Sequence, residues 1–254
     1  MAALPFSSGP PIGARAILGL IVLQADETIE HEFRGMIDEP GVALYATRIP
    51  SAAEVTPDSL ATMRAALPTA AGLLPPSLDF DIVGYGCTSG ATVIGSADVA
   101  QLVRGAVRTA RVTDPLAAVV KACKALGARR LALVTPYVAE VSAAMRAALE
   151  AQGPQIAAFG SFELVEEAAV ARIDPKSLLE AIVQVGRSAP CDAVFVSCTN
   201  LRTVDIIAEA EARLGKPVVS SSQALAWDML RAAGIARSRP EFGRLMTLSP
   251  QSDA

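Results

Sequence analysis

The chain has 254 residues and a net charge of −4, with no block of basic residues, which argues against nucleic acid or an anionic membrane as its partner. Hydrophobic residues make up 52% of it and aromatic residues only 4%, so Ala, Val and Leu must build the core, and the length suffices without disulfides or metals. Its four cysteines show no Cys-x-x-Cys spacing and His31 is the single histidine, so no metal site is expected, and reduced thiols point to the cytoplasm.

Residues 1–12 are rich in Pro, Gly and Ser and read as a mobile tail. The apolar run from Ala16 to Leu23 is too short to span a membrane. No small-residue cleavage site follows it, so it reads as the first buried strand. Further strands are expected over 42–47, 82–85, 131–135, 193–196 and 218–219. Helices are expected over 57–67, 97–110, 115–126, 138–152, 175–185, 203–214 and 222–233. Pro57, Pro115 and Pro175 suit first helical turns, with Thr56, Asp114 and Asp174 as caps. Gly127, Gly153, Gly215 and Gly234 read as helix stops. Strand and helix alternate, which predicts an α/β fold with mostly parallel sheets and helices on both faces.

One pattern occurs twice. Asp81-Ile82-Val83-Gly84-Tyr85-Gly86-Cys87-Thr88-Ser89 is echoed by Asp192-Ala193-Val194-Phe195-Val196-Ser197-Cys198-Thr199-Asn200. Each copy has an Asp, an apolar run, then Cys-Thr and a small polar residue. Gly-Ala-Arg precedes an apolar run at Gly13 and again at Gly127, and Pro-x-Ser-Leu recurs at Pro57 and Pro175. Matches in one order predict two similar lobes facing each other. The stretches 112–127 and 219–234 also correspond, each a strand end, a helix-like run and a closing Gly; Ala-rich α/β chains produce chance echoes, but not four in sequence.

Each Cys of the pair falls where a strand ends and a polar loop begins, the usual place for ligand chemistry in open α/β sheets. Buried strand-end cysteines are commonly inert. The matched frames make Cys87 and Cys198 the candidate catalytic pair, able to reach one substrate from opposite faces. Cys123, mid-helix, and Cys191, before a strand, have no partner frame and are assigned to structure. Thr88, Ser89, Gly90, Thr199 and Asn200 supply hydroxyls, an amide and N–H groups; they are either carboxylate-binding groups or plain helix caps. Helices beginning there would also lower a thiol pKa. The run Gly84 to Gly90 lacks the ending of a phosphate loop and the spacing of a dinucleotide fingerprint. Asp26 and Tyr137 each follow a strand at the same edge and are candidates for substrate contact. Glu166 and Glu167, in a later loop, are weaker candidates, since a lone acid is ordinarily a solvated one.

At these residues the chain resembles the aspartate/glutamate racemase superfamily, on the branch of maleate cis-trans isomerase and arylmalonate decarboxylase. The most specific segments are Gly86-Cys87-Thr88-Ser89-Gly90, Thr135-Pro136-Tyr137, Ser197-Cys198-Thr199-Asn200-Leu201 and Gly215-Lys216-Pro217-Val218-Val219-Ser220-Ser221. The resemblance implies two Rossmann-like lobes about a pseudo-twofold axis, no cofactor, and an active site between them. Residues 13–112 with 219–245 would form the first lobe and 113–218 the second. It implies Cys87 and Cys198 as the active cysteines and Thr88, Ser89, Tyr137 and Thr199 as carboxylate-binding groups.

Two departures matter. Decarboxylases of the branch keep only the second Cys, whereas Cys87 is present in this chain. Maleate isomerases carry Asn after the first strand and near Glu166 or Glu167; here acids stand at Asp26 and Glu167. A dianion would meet like charge in a sheltered site, whereas an ammonium group would be welcomed. The expected activity is therefore proton transfer at the carbon α to a carboxylate of an amino-acid-like substrate. The resemblance extends to ectoine-utilisation members, which adds an ectoine-derived amino acid to the candidates. The alternatives are maleate isomerisation by cysteine addition, an arylmalonate-type decarboxylation, and a non-catalytic two-lobe binding protein. A monomer or homodimer is expected.

Overall fold

The computed structural model describes residues 3–249. Two four-stranded sheets make up the frame. The first holds β1 (Ala16–Leu23), β2 (Val42–Ile49), β3 (Ile82–Gly86) and β4 (Val112–Thr113), all parallel, in the order β2-β1-β3-β4. The second holds β5 (Arg130–Tyr137), β6 (Gln155–Leu164), β7 (Ala193–Val196) and β8 (Val218–Ser220), again parallel, in the order β6-β5-β7-β8. One topology is thus used twice, and the cysteine frames fall on the equivalent strands β3 and β7.

The repeated Asp has the same task in each copy. Asp81 Oδ2 accepts the Ile17 N–H at 2.7 Å, at the start of β1. Asp192 Oδ2 accepts those of Arg129 and Arg130 at 2.9 and 2.8 Å, at the start of β5. Each pins its central strand against the Cys-bearing one. The central strands read as apolar runs because both faces are covered; every residue of β1 is buried.

Helices α1 (Ile29–Met36), α2 (Pro57–Ala71), α3 (Thr88–Ile94), α4 (Ser96–Arg104) and α5 (Pro115–Leu126) belong to the first half of the chain. The second half carries α6 (Ala139–Glu150), α7 (Glu167–Ala171), α8 (Pro175–Ser188), α9 (Ile207–Leu214) and α10 (Ser221–Ala232). Thr56, Asp114 and Asp174 cap α2, α5 and α8 as their positions predicted. Gly127 and Gly215, at φ 68° and 70°, end α5 and α9 in the left-handed region. The last helix crosses over: α10 packs on α5 and on β3 of the first sheet, while α5 touches β8 of the second.

Several elements differ from expectation. The 97–110 helix stops at Arg104, and a separate helix, α3, precedes it. The 203–214 helix begins only at Ile207; residues 204–206 form a turn, and the Thr203 and Val204 N–H groups bind the Glu32 carboxylate. Helix α1 and the edge strand β6 were not anticipated; β6 alternates half-buried and exposed residues and has no apolar run to mark it. Of the expected tail, residues 1 and 2 lie outside the described residues, and 3–12 are exposed. Among the described residues no helix is long and apolar enough to cross a membrane, and no His, Cys, Asp or Glu cluster could hold a metal.

Candidate active site

In each sheet the chain leaves the central strand in opposite directions, and side chains at the carboxyl ends of that pair surround a crevice. Asp26 follows β1 and Cys87 follows β3; Tyr137 ends β5 and Cys198 follows β7. Hydrogen bonds across the lobes bring the two crevices together. The Cys198 N–H donates to Ser221 Oγ at 3.1 Å, and Thr199 Oγ1 lies 2.9 Å from Asp26 Oδ2 and 3.1 Å from the Gly86 carbonyl. A backbone bridge pairs Glu54 with Glu166, and the Glu167 N–H donates to the Ala53 carbonyl at 3.0 Å.

Cys87 is the N-cap of α3. Its Sγ accepts the Gly90 N–H at 3.1 Å and lies 3.6 Å from Ser89 Oγ. Gly90 has to be glycine: a Cβ there would fall 2.5 Å from the Tyr85 hydroxyl and 3.0 Å from Cys87 Sγ. Cys198 starts no helix. It sits at φ 125°, a region that L-residues rarely adopt, with its N–H on Ser221 Oγ at 3.1 Å and its Sγ accepting the Asn200 N–H at 3.3 Å.

Both thiols are 3% exposed. Burial pushes Cys87 up to about 12 and Cys198 well above the ordinary thiol value, and the charges of Glu167 and Asp26 raise both further. Hydrogen bonds from Ser89 and Gly90 to Cys87, and from Tyr137 and Asn200 to Cys198, pull the other way without winning. The helix start expected to lower the thiol pKa is present only at Cys87, and there desolvation overrides it. Both thiols therefore rest protonated at neutral pH.

The acids share this burial. Asp26 is raised by desolvation, against hydrogen bonds from the Ile29 and Thr28 N–H groups and Thr199 and the more distant charge of Arg48. Glu167 is raised by desolvation and by Asp26, against the Asn200 amide. Burial above all keeps the Tyr137 phenol protonated and hence a donor.

Cys87, Cys198, Asp26, Tyr137 and Glu167 thus meet as one electrostatically connected group, with Thr88, Ser89 and Thr199 on its walls. A cavity of about 250 Å³ lined by Leu60, Ser89, Thr92, Val93, Glu140, Val141 and Ala144 reaches the Cys87 loop through Ser89. Asn200, expected against substrate, spends its side chain elsewhere: Oδ1 accepts the Glu27 N–H and Nδ2 donates twice to Glu167. Glu166 is exposed and stands apart from the thiols as the N-cap of α7. Two groups escaped the sequence reading. Ser221 links Thr88 to Cys198. Glu32 is a buried acid in the stripe Ile29, Phe33, Met36 of α1; an acid at i+3 on an apolar face was the available signal.

Two lobes of one topology closing over two buried thiols place this enzyme in the aspartate/glutamate racemase superfamily, among isomerases and related lyases of the maleate isomerase and arylmalonate decarboxylase branch. The model of the arylmalonate decarboxylase family matches residues 93–246, and the chain belongs to that family. Arylmalonate decarboxylase of Bordetella bronchiseptica is 41% identical over 130 residues, 50% of this chain and 54% of that protein. The first match therefore spans about half the length of that relative. Maleate isomerase of Nocardia farcinica (strain IFM 10152) is 28% identical over 246 residues, 92% of this chain and 96% of that protein. Among solved structures, a Nocardia farcinica maleate cis-trans isomerase mutant with a covalently bound succinylcysteine intermediate has a TM-score of 0.81 at 26% identity, covering 91% of this chain and 98% of that one. A liganded arylmalonate decarboxylase mutant, with a glycine changed to cysteine and a cysteine to serine, has a TM-score of 0.79 at 30% identity, with 91% and 98% covered.

Proposed function

We propose that Cys87 and Cys198 act as an acid–base pair on the carbon α to the carboxylate of an amino-acid-like substrate, making the enzyme a racemase or epimerase. The observation that carries this reading is the placement of two buried acids, Asp26 and Glu167, in one group with the two thiols, whose pKa values their charges raise. A dicarboxylate would add negative charge to this group. An ammonium group would offset it, lowering the thiol pKa values as the substrate arrives. One Cys, as thiolate, would take the Cα proton while the other, as thiol, delivers one to the opposite face; the roles exchange for the other enantiomer. The Thr88 and Ser89 N–H groups open α3 and have no intrahelical acceptor; with the Tyr137 phenol they would hold the substrate carboxylate and stabilise its enediolate. Asp26 and Glu167 would hold the amine.

The second reading is cis-trans isomerisation of a maleate-like diacid by addition of one thiolate to the double bond. The presence of both cysteines and the match to maleate isomerase over 92% of the chain favour it. It requires Asp26 and Glu167 to be protonated when the dianion binds. Arylmalonate-type decarboxylation ranks behind both, since Cys87 stands where that chemistry keeps glycine.

The reading includes no cofactor, the cytoplasm as setting, a monomer or homodimer, and a lobe division of 13–112 with 219–245 against 113–218. The packing of α10 on β3 supports that division. The test is Cα–H exchange in deuterated water, followed by NMR with aspartate, glutamate, N-acetyl-diaminobutyrate as the ectoine-derived candidate, maleate and a phenylmalonate. Exchange in an amino acid, lost in Cys87→Ser and Cys198→Ser, is the expected result. Conversion of maleate to fumarate without amino-acid exchange would overturn the racemase in favour of the second reading.

A further inference from the structure

Glu32 takes no part in the chemistry above, yet its carboxylate meets the loop that carries Cys198. It is buried on α1, and its Oε1 accepts the Thr203 N–H at 2.5 Å and the Val204 N–H at 2.9 Å. The Thr203 hydroxyl lies within 3.2 Å of both carboxylate oxygens and 2.9 Å from Ser220 Oγ, the N-cap of α10. Just ahead of α1, Asp26 Oδ1 accepts the Thr28 and Ile29 N–H groups while its Oδ2 faces Thr199 Oγ1. The first turn of α1 and the loop that leads into it therefore hold both ends of the second-lobe segment 199–204, next to Cys198.

That grip has something to hold. Cys198 sits at φ 125°, and backbone strain of this kind persists only where the surroundings over-determine it. Between β7 and α9 the segment runs through turns with no helix or strand of its own. Cys87 is supported differently, by the first turn of α3 and the Gly90 N–H, and no Glu32 bond reaches its loop. Burial pushes Glu32 up to about 7 against the hydrogen bonds it accepts from Thr203 and Val204, so these bonds are its main compensation for desolvation.

We propose that Glu32 is a positioning residue for Cys198: by holding Thr203 and Val204 from the opposite lobe, it keeps the loop, and with it the thiol, in the strained geometry from which Cys198 reacts. The inference rests on Cys198 being a reacting thiol. A carboxylate that merely fastened the lobes together would influence both thiols alike; a positioning residue acts on Cys198 alone.

The test uses the full-length protein with Glu32→Gln, which keeps the shape and a neutral amide oxygen for the two N–H groups but removes the charge and sets a donor against the Thr203 hydroxyl, and Thr203→Val, which removes only the hydroxyl contact. Each thiol is followed by peptide mass spectrometry during alkylation with iodoacetamide, in the absence of substrate. We expect Cys198 to react about tenfold faster in Glu32→Gln through local opening of its loop, with Cys87 changed less than about twofold, and Thr203→Val to show the same pattern more weakly. Equal acceleration of both thiols, or an unchanged Cys198, overturns the proposal. If Glu32→Gln does not fold, Thr203→Val decides by the same criteria. A second readout compares Cα–H exchange starting from each enantiomer, where Glu32→Gln should slow the direction initiated by Cys198 more than the other. If no amino acid exchanges in the wild type, the racemase reading fails, and the alkylation result still decides the role of Glu32.

Discussion

Asn200 Nδ2 stands 2.8 Å from Glu167 Oε2 and 3.1 Å from the Glu167 carbonyl, so one amide donates both of its protons to one acid. Its Oδ1 accepts the Glu27 N–H at 2.9 Å from the other lobe. The amide thereby orients the buried carboxylate and ties two loops at once. Asn200→Asp would replace both donors by an oxygen facing a carboxylate. We expect a loss of about 3 kcal/mol in unfolding free energy at neutral pH, recovered in part as the acids protonate. Urea denaturation at pH 5 and pH 7.5 measures it, and a neutral effect at both would remove Asn200 from this role.

Asp26→Asn tests the charge argument without dismantling the loop. The amide oxygen can still accept the Thr28 and Ile29 N–H groups, and the Thr199 hydroxyl retains the Gly86 carbonyl as acceptor at 3.1 Å. Removing the acid should weaken binding of an amino-acid substrate about tenfold, about 1.4 kcal/mol, and improve binding of maleate. Isothermal titration of the variant and the wild type with both ligand classes checks the sign. Tighter binding of the amino acid by the variant would exclude Asp26 as the amine's partner.

Much of this arrangement is legible in the sequence because it is local. The Asp81 and Asp192 frames, the proline-led helices and the strand-end cysteines are set by short-range chemistry, and the matching sheet orders agree with the repeat. What escaped depends on contacts between lobes. Thr203 and Val204 carry a helical pattern, yet they lie ahead of α9 at the turn that leads into it, with their N–H groups on a carboxylate from the other lobe. Asn200 looks like a ligand contact until Glu27 and Glu167 occupy it. The helix-start argument for a lowered thiol pKa failed because burial, invisible in a seven-residue motif, outweighs one N–H bond.

The backbone of Cys198 makes a prediction of its own. In ordinary positions alanine is preferred to glycine by about 0.5–1 kcal/mol. At φ 125° a Cβ is unfavourable, so Cys198→Gly should be at least as stable as Cys198→Ala, reversing the usual order. Thermal unfolding of the two variants decides it, and alanine clearly more stable than glycine at this position would contradict the strain at Cys198.

The buried acids also set the direction in which stability changes with pH. Glu32 is raised from 4.5 to about 7, so the folded protein holds its proton where the unfolded chain has released it. Its contribution is full below pH 4.5 and is lost as pH rises to about 7, a loss of about 3 kcal/mol. Asp26 and Glu167 are raised as well and act with the same sign. The carboxylates with lowered pKa, Glu180, Asp192 and Glu241, are exposed and would lose their small contributions only at more acidic pH. Between pH 5 and pH 8 the unfolding free energy should therefore fall as pH rises, opposite to the trend of a protein stabilised by ion-paired carboxylates. Glu32→Gln should flatten the slope over this interval even if it lowers stability at every pH. Urea midpoints at unit intervals of pH provide the measurement, and a wild-type curve that rises through this window would show that these acids are ionised at little cost in the folded state.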